Sequence, residues 1–244
     1  MTEAEWLACT DPKPMLKHIR GRMNDRKVRL FAGVCCRHMD THLAGLCYTA
    51  AIKTSERYAD GETGLKDLRQ YRRVTKTMAE ASLPLDDVFE WSQEQEYKAH
   101  DAAAWAVYFA MQGKARQAAE HAAQAAEHAA WVANAADPRF NCADVAREDE
   151  WRYQADLLRD IIGNPFRSIA LDPAWRTPAV VSLATAAYEE RNLPAGTLEP
   201  NRLAVLADAL EEAGCDNDDL LSHLRGPGPH VRGCWVVDLL LGKE

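Results

Sequence analysis

An all-α fold, a multi-helix bundle with a long Ala-rich helix or helical hairpin in its middle, is predicted by three features of the sequence. Apolar residues recur every three or four positions in segment after segment. Capping signals punctuate the chain: Thr2 with Glu5, then Asp11-Pro12 and Thr177-Pro178. No stretch alternates apolar and polar residues as a half-buried strand does; only VRGCWVVDLLL near the end reads as a buried strand, and its length and position favour a closing helix.

The elements follow in order. Two short helices open the chain behind Thr2 and Asp11, and a third starts at Asn24 or Asp25. In that third helix Val28, Phe31, Ala32, Cys35, Met39, Leu43 and Leu46 line one face. Tyr58, Leu65 and Leu68 continue in helical phase on either side of a turn at Asp60-Gly61. From Pro84 to Asp137 only Gly113 interrupts, and a hairpin hinged there is favoured over one helix far above the usual length. The second half of this stretch repeats the heptapeptide QAAEHAA, Gln117 to Ala123 and Gln124 to Ala130. Its polar residues share a stripe and the rest is alanine, which buries little area, so a spacer of free length is the expected role.

After Asp137-Pro138 an amphipathic segment, Ala143 to Ile162, stops at Gly163-Asn164-Pro165. Helices through Val181 to Tyr188 and through Leu203 to Leu210 follow, the latter ending at Gly214, and Asp216 is expected to cap another through Leu220 and Leu224. The organisation is therefore an N-terminal helical part over 1–83, the Ala-rich stretch over 84–139, and a C-terminal part over 140–244 packed with the first as one unit. The tail from Trp235 to Leu241 is too apolar to stay free and is expected to dock on Leu203, Leu206, Ala207 and Leu210.

Composition bounds function by exclusion. A net charge of −8 offers no field for polyanions, which argues against nucleic acid as a partner. The beginning of the sequence carries no secretory signal pattern, and nowhere do apolar residues run long enough to span a membrane, so a cytoplasmic location without membrane association is expected. Seven cysteines without framework spacing read as reduced thiols.

Three constellations carry chemistry. Cys35, His38 and His42 share one helical face and make a partial metal-ligand set, yet structural zinc takes four ligands and no second cluster follows. If a helix begins at Pro229, His230, Cys234 and Asp238 form a Cys/His/Asp row in which imidazole sits beside a thiol. Arg225 and Arg232, with the amides of Gly226 to Gly228, form a loop that offers donors to an anion. Each has a plainer structural reading as core, solvated face or turn. No cofactor is expected, zinc being the one metal the Cys/His spacings admit.

Five stretches, TEAEWLACTDPKPML, DRKVRLFAGVCCR, QADLLRDIIGNPFR, LADALEEAGC and GPGPHVRGCWVVDLLLGKE, together resemble a bacterial family of planctomycete type with an alanine-rich middle of variable length. RLAVLADALEEAG is similar to the short helical repeat-companion domain, with Ala209 standing where that domain has tryptophan. The resemblance implies no activity and no site residue. The expected function is a non-enzymatic helical interaction or scaffold protein with a protein partner; the alternative is a thiol- or metal-dependent enzyme using the Cys and His residues above.

Overall fold

Thr2 accepts the backbone N–H of Glu5 while the Glu5 carboxylate accepts that of Thr2, and this reciprocal cap starts the first helix, α1 (Glu3–Ala8). The computed structural model describes residues 1–21, 24–39, 46–81, 91–112 and 142–243, and within the repeat 117, 119–121, 123–124 and 126–127. Asp11 caps α2 (Pro12–His18) and Asn24 caps α3 (Asp25–His38). Then come α4 (Leu46–Ala59), α5 (Leu65–Ala81), α6 (Trp91–Ala110) and α7 (Cys142–Ile162). A 3₁₀ turn (Pro173–Trp175) leads to α8 (Pro178–Glu189), α9 (Pro200–Glu212), α10 (Asp218–Arg225) and α11 (Trp235–Leu241). Among the described residues there is no sheet, only two isolated bridges that join Thr197 to Asn192 and to Val231. None of the helices described is long and apolar enough to cross a membrane. The all-α bundle is thus what folds.

Details differ from the expectations. The face expected to run on to Leu46 is not one helix, since α3 ends at His38 and Leu46 opens α4; Leu43 lies outside the described residues. Asn217, not Asp216, caps α10, its side chain accepting the N–H of Leu220. The final helix begins only at Trp235, because Val231 bridges to Thr197 and Gly233 stands at φ +98°, outside helical space. Within the Ala-rich stretch, α6 ends at Ala110 and the Phe109 ring stacks on His121 at 4.5 Å, so the chain doubles back as a hairpin; Gly113 and His128 lie outside the described residues. The repeat lies against the bundle. Ala119, Ala123 and Ala126 are buried in the apolar core, Gln154 donates to the Ala123 carbonyl at 3.1 Å, and Lys13 pairs with Glu127 at 3.0 Å. Small side chains let the backbones approach closely enough for that bond.

Two apolar cores form. The first gathers Trp6, Met15, Phe31, Ile52, Leu68, Val107, Leu158 and Ile161, so α7 packs on α2 and α3 and also touches α11. The second gathers Val180, Tyr188, Leu203, Leu206, Leu210, Leu220, Leu224, Val236, Val237 and Leu240 from α8 to α11. The tail joins this core but packs mainly on α8, not on the Leu203–Leu210 face of α9 where it was expected, and Trp235 is only partly buried.

Buried ion pairs join the two. Arg26 on α3 reaches Asp60 at 2.8 Å, Asp238 at 2.6 Å and the Tyr188 hydroxyl at 2.8 Å. Arg232 donates to the other Asp60 oxygen at 2.7 Å. Glu56 on α4 holds Arg37 of α3 and Arg191, which follows α8.

Candidate metal centre

Asp160 stands in the last turns of α7, between Leu158 and Ile161 of the first core, and is 2% exposed. His223 comes from α10, whose Leu220, Leu221 and Leu224 are buried and leave the imidazole facing α7. The loop after α10 supplies His230. At Gly228, φ is +80° and a Cβ would stand 2.8 Å from the His230 nitrogen, so only glycine permits this path. Cys234 sits immediately before α11, wholly buried.

The four donor atoms lie within 4.8 Å of one another. His230 Nδ1 is 2.8 Å and His223 Nε2 is 3.1 Å from the same oxygen, Asp160 Oδ1, and His223 Nε2 is 3.3 Å from Cys234 Sγ. Outer contacts hold them. Asp160 Oδ2 accepts the Val231 N–H at 2.9 Å, leaving Oδ1 alone to face the histidines. His230 Nε2 lies 3.3 Å from the Gly226 carbonyl, to which an Nε2–H donates when an ion takes Nδ1. The Trp235 ring leans on His223 at 5.2 Å.

Electrostatics follow from this crowding. Burial alone pushes the Asp160 carboxyl up, but the hydrogen bonds and charges of His223 and His230 overcome it and hold the pKa below the ordinary carboxylate value. Burial pushes the His230 imidazole down, and Asp160 more than reverses that. The Cys234 thiol is driven well above its usual range, by burial first and then by Asp160.

In that set no single imidazole is seen to bridge the thiol and the carboxylate through its two nitrogens. A Cys/His/Asp triad needs one ring nitrogen on the thiol and the other on the carboxylate. Here His223 Nε2 faces both, and the thiol is buried and held protonated. Donors converging on one point are instead what a metal ion requires.

Among the residues singled out by sequence, His230 and Cys234 are brought together, though by a loop and not by one helix from Pro229. Asp238 is not in the set: its carboxylate takes two bonds from Arg26, and Asp160 stands in its place. Cys35 is buried in the first core with its thiol driven well above the usual range by burial, while His38 is exposed, 2.7 Å from Glu150 and stacked on Tyr153. Cys35 and His38 join no group of three donors among the described residues, and His42 lies outside those residues. The anion loop is corrected as well. Arg225 turns away to Asp208 and Glu211, Arg232 is taken by Asp60 and Glu62, and the Gly226 N–H is spent on the His223 carbonyl.

Sequence reasoning misses Asp160 and His223. His-x6-His-x3-Cys within HLRGPGPHVRGC is a readable signal, whereas nothing local marks Asp160, whose role depends on where α7 packs. No family model, no curated protein and no solved structure matches the chain.

Proposed function

We propose that this is a metal-holding helical protein of the non-enzymatic, scaffold type, in which one zinc ion bound by Asp160, His223, His230 and Cys234 clasps the C-terminal core to the first. The observation that carries the reading is the convergence of four donor atoms of mixed type within 4.8 Å, from three separate chain segments. A thiol and two imidazoles suit zinc and not magnesium or calcium. The charges close too, since a carboxylate and a thiolate neutralise a divalent ion. Zinc bonds of roughly 2.0–2.3 Å put neighbouring tetrahedral donors about 3.3–3.8 Å apart. The contacts of 2.8–3.3 Å therefore need to open by about half an ångström on average while the widest separation, up to 4.8 Å, closes by about 1 Å, and the ion takes the place of the thiol proton.

Four protein donors fill a tetrahedral ion, which is the arrangement of a structural centre; catalytic zinc keeps a position open for water. The clasp joins α7 of the first core to α10 and the loop before α11, beside the apolar contact of Val231 and the buried ion pairs. Three of the four donors fall in stretches that carry the planctomycete-type resemblance, QADLLRDIIGNPFR and GPGPHVRGCWVVDLLLGKE. A cytoplasmic location fits the free thiols of Cys9, Cys35, Cys36, Cys47, Cys215 and Cys234, and the partner we assign to such a scaffold is another protein.

Metal analysis of the purified, extensively dialysed chain tests the reading. One zinc per chain is expected, lost in Cys234→Ser, His223→Ala and Asp160→Asn and kept in Cys35→Ser and His38→Ala. A folded chain that retains no metal, or metal that survives both Cys234→Ser and His223→Ala, contradicts it.

A further inference from the structure

Beside the four donors lies a cavity of about 560 Å³, open to solvent, within the range of roughly 300–1,000 Å³ typical of small-molecule sites. Its wall is mixed. Ile169, Pro229, Trp235 and Leu239 give it an apolar side, and Lys27 of α3 stands on the charged side.

Four carboxylates and four lysine or arginine side chains line that wall, but they are unequally paired. Asp156 is held by Arg159 at 2.7 Å, Asp219 by Arg167 at 3.4 Å, Asp238 by Arg26 at 2.6 and 2.9 Å, and Asp160 belongs to the metal centre. Lys27 has only a long ion pair, shared with a carboxylate that Arg26 already holds. Its ammonium donates at 2.7 Å to the Ile161 carbonyl, and the nearest carboxylate oxygen, on Asp238, is 3.7 Å away and already committed to Arg26. The Lys27 side chain is only 17% exposed, so water replaces little of the solvation it has lost. Lys243, also on the wall, lies over the Tyr188 ring at 4.7 Å and has no carboxylate within ion-pair reach among the described residues.

We infer that this cavity binds a small organic monoanion, a carboxylate whose oxygen takes the Lys27 ammonium and whose short apolar or aromatic body packs on Trp235 and Leu239. A single buried ammonium matches one carboxylate. A phosphate dianion is normally met by an arginine fork or a nest of backbone N–H groups, and neither is free here: both arginines of the wall are paired, and the Gly226 N–H is taken. The site shares a wall with the metal centre but uses none of its donors for the ligand; leaving Asp160 out of the wall's pairing rests on the metal reading.

The test is isothermal titration of the full-length chain, as purified, with phenylacetate, its neutral analogue phenylacetamide, and inorganic phosphate. Phenylacetate is expected to bind at least tenfold more tightly than either of the others, and Lys27→Met to weaken it about tenfold or more while zinc content and circular dichroism stay unchanged, the loss of one charge-assisted hydrogen bond. Because Lys27 also holds the Ile161 carbonyl, a second variant guards against misfolding: Leu239→Trp narrows the cavity without touching Lys27 or a metal donor and is expected to abolish binding. No phenylacetate binding at millimolar concentration overturns the inference. So does equal affinity for phenylacetamide, tighter binding of phosphate, or an unchanged affinity in a folded Lys27→Met chain.

Discussion

Replacing Glu56 with glutamine probes the contact that joins the two cores most heavily. The carboxylate is 3% exposed and accepts four bonds, from Arg37 at 2.6 and 3.0 Å and from Arg191 at 3.2 and 3.0 Å. Glutamine keeps one oxygen and turns an NH₂ toward guanidinium N–H groups, so about half the bonds become donor–donor contacts between two buried cations. Breaking a buried pair from one side costs about 3–5 kcal/mol. Against a net stability of roughly 5–15 kcal/mol that is a large share. In urea unfolding at neutral pH the midpoint is expected to fall by about 1–2 M if the slope is near the upper end of the usual range. Glu189→Gln, on an exposed residue of α8, is expected to leave it in place. The triple variant Glu56→Leu, Arg37→Met, Arg191→Met is expected to recover most of the loss, since well-packed apolar groups replace buried ion pairs at little cost. A midpoint for Glu56→Gln indistinguishable from that of Glu189→Gln would refute the reasoning.

Three further outcomes follow from the same geometry. Glu56 and Asp60 are buried, which alone raises a carboxyl pKa, yet Arg37 and Arg191 on one and Tyr188, Arg232 and Arg26 on the other hold both below their ordinary values of 4.5 and 3.8. Their contribution is therefore present above those values and lost as pH falls through the depressed ones, so the melting temperature should stay level from neutral to mildly acidic pH and drop below about 4, less steeply in Glu56→Gln. Gly163 sits at φ +72°, and a Cβ added there would stand 3.0 Å from the Trp235 ring, so Gly163→Ala is expected to cost about 1–3 kcal/mol in thermal unfolding and to shift the fluorescence of that ring. Ala119→Asp places an unpaired carboxylate in the first core and should lower the melting temperature steeply, whereas Glu120→Ala on the exposed side should be silent; equal effects would return the repeat to the role of a spacer.

Much of the fold is legible because local chemistry carries it. Thr2 with Glu5, Asp11-Pro12, Asn24 and Thr177-Pro178 all cap helices where their side chains suggest, while the 3–4 spacing of Val28, Phe31, Ala32 and Cys35 marks α3 as a helix but not its surroundings, since it is buried on all sides from Val28 to Arg37. The alanine repeat misleads because area bookkeeping ignores distance: Ala119 and Ala123 bury little surface each but allow a backbone approach that Gln154 then seals. The apolar tail joins the expected core but packs mainly on α8, not on the Leu203–Leu210 face of α9, and Trp235 is partly open and borders the cavity, while His230, placed by sequence on the loop side, is buried against Asp160. Long-range polar pairing is invisible to periodicity. Asp160, 63 residues before His223, reads as one more charge on an amphipathic helix until α7 is seen to pack beside α10. The Arg26, Asp60, Asp238 and Arg232 cluster spans more than 200 residues of chain and has no local signature either.

X-ray absorption at the zinc edge of the metal-loaded protein tests the clasp most directly, because it reads the donor set itself. One sulfur at about 2.3 Å and three nitrogen or oxygen donors at about 2.0–2.1 Å are expected, the sulfur shell vanishing in Cys234→Ser. A shell of nitrogen and oxygen alone in the unaltered chain, or a sulfur shell that persists in Cys234→Ser, would contradict the assignment of the ion to Asp160, His223, His230 and Cys234.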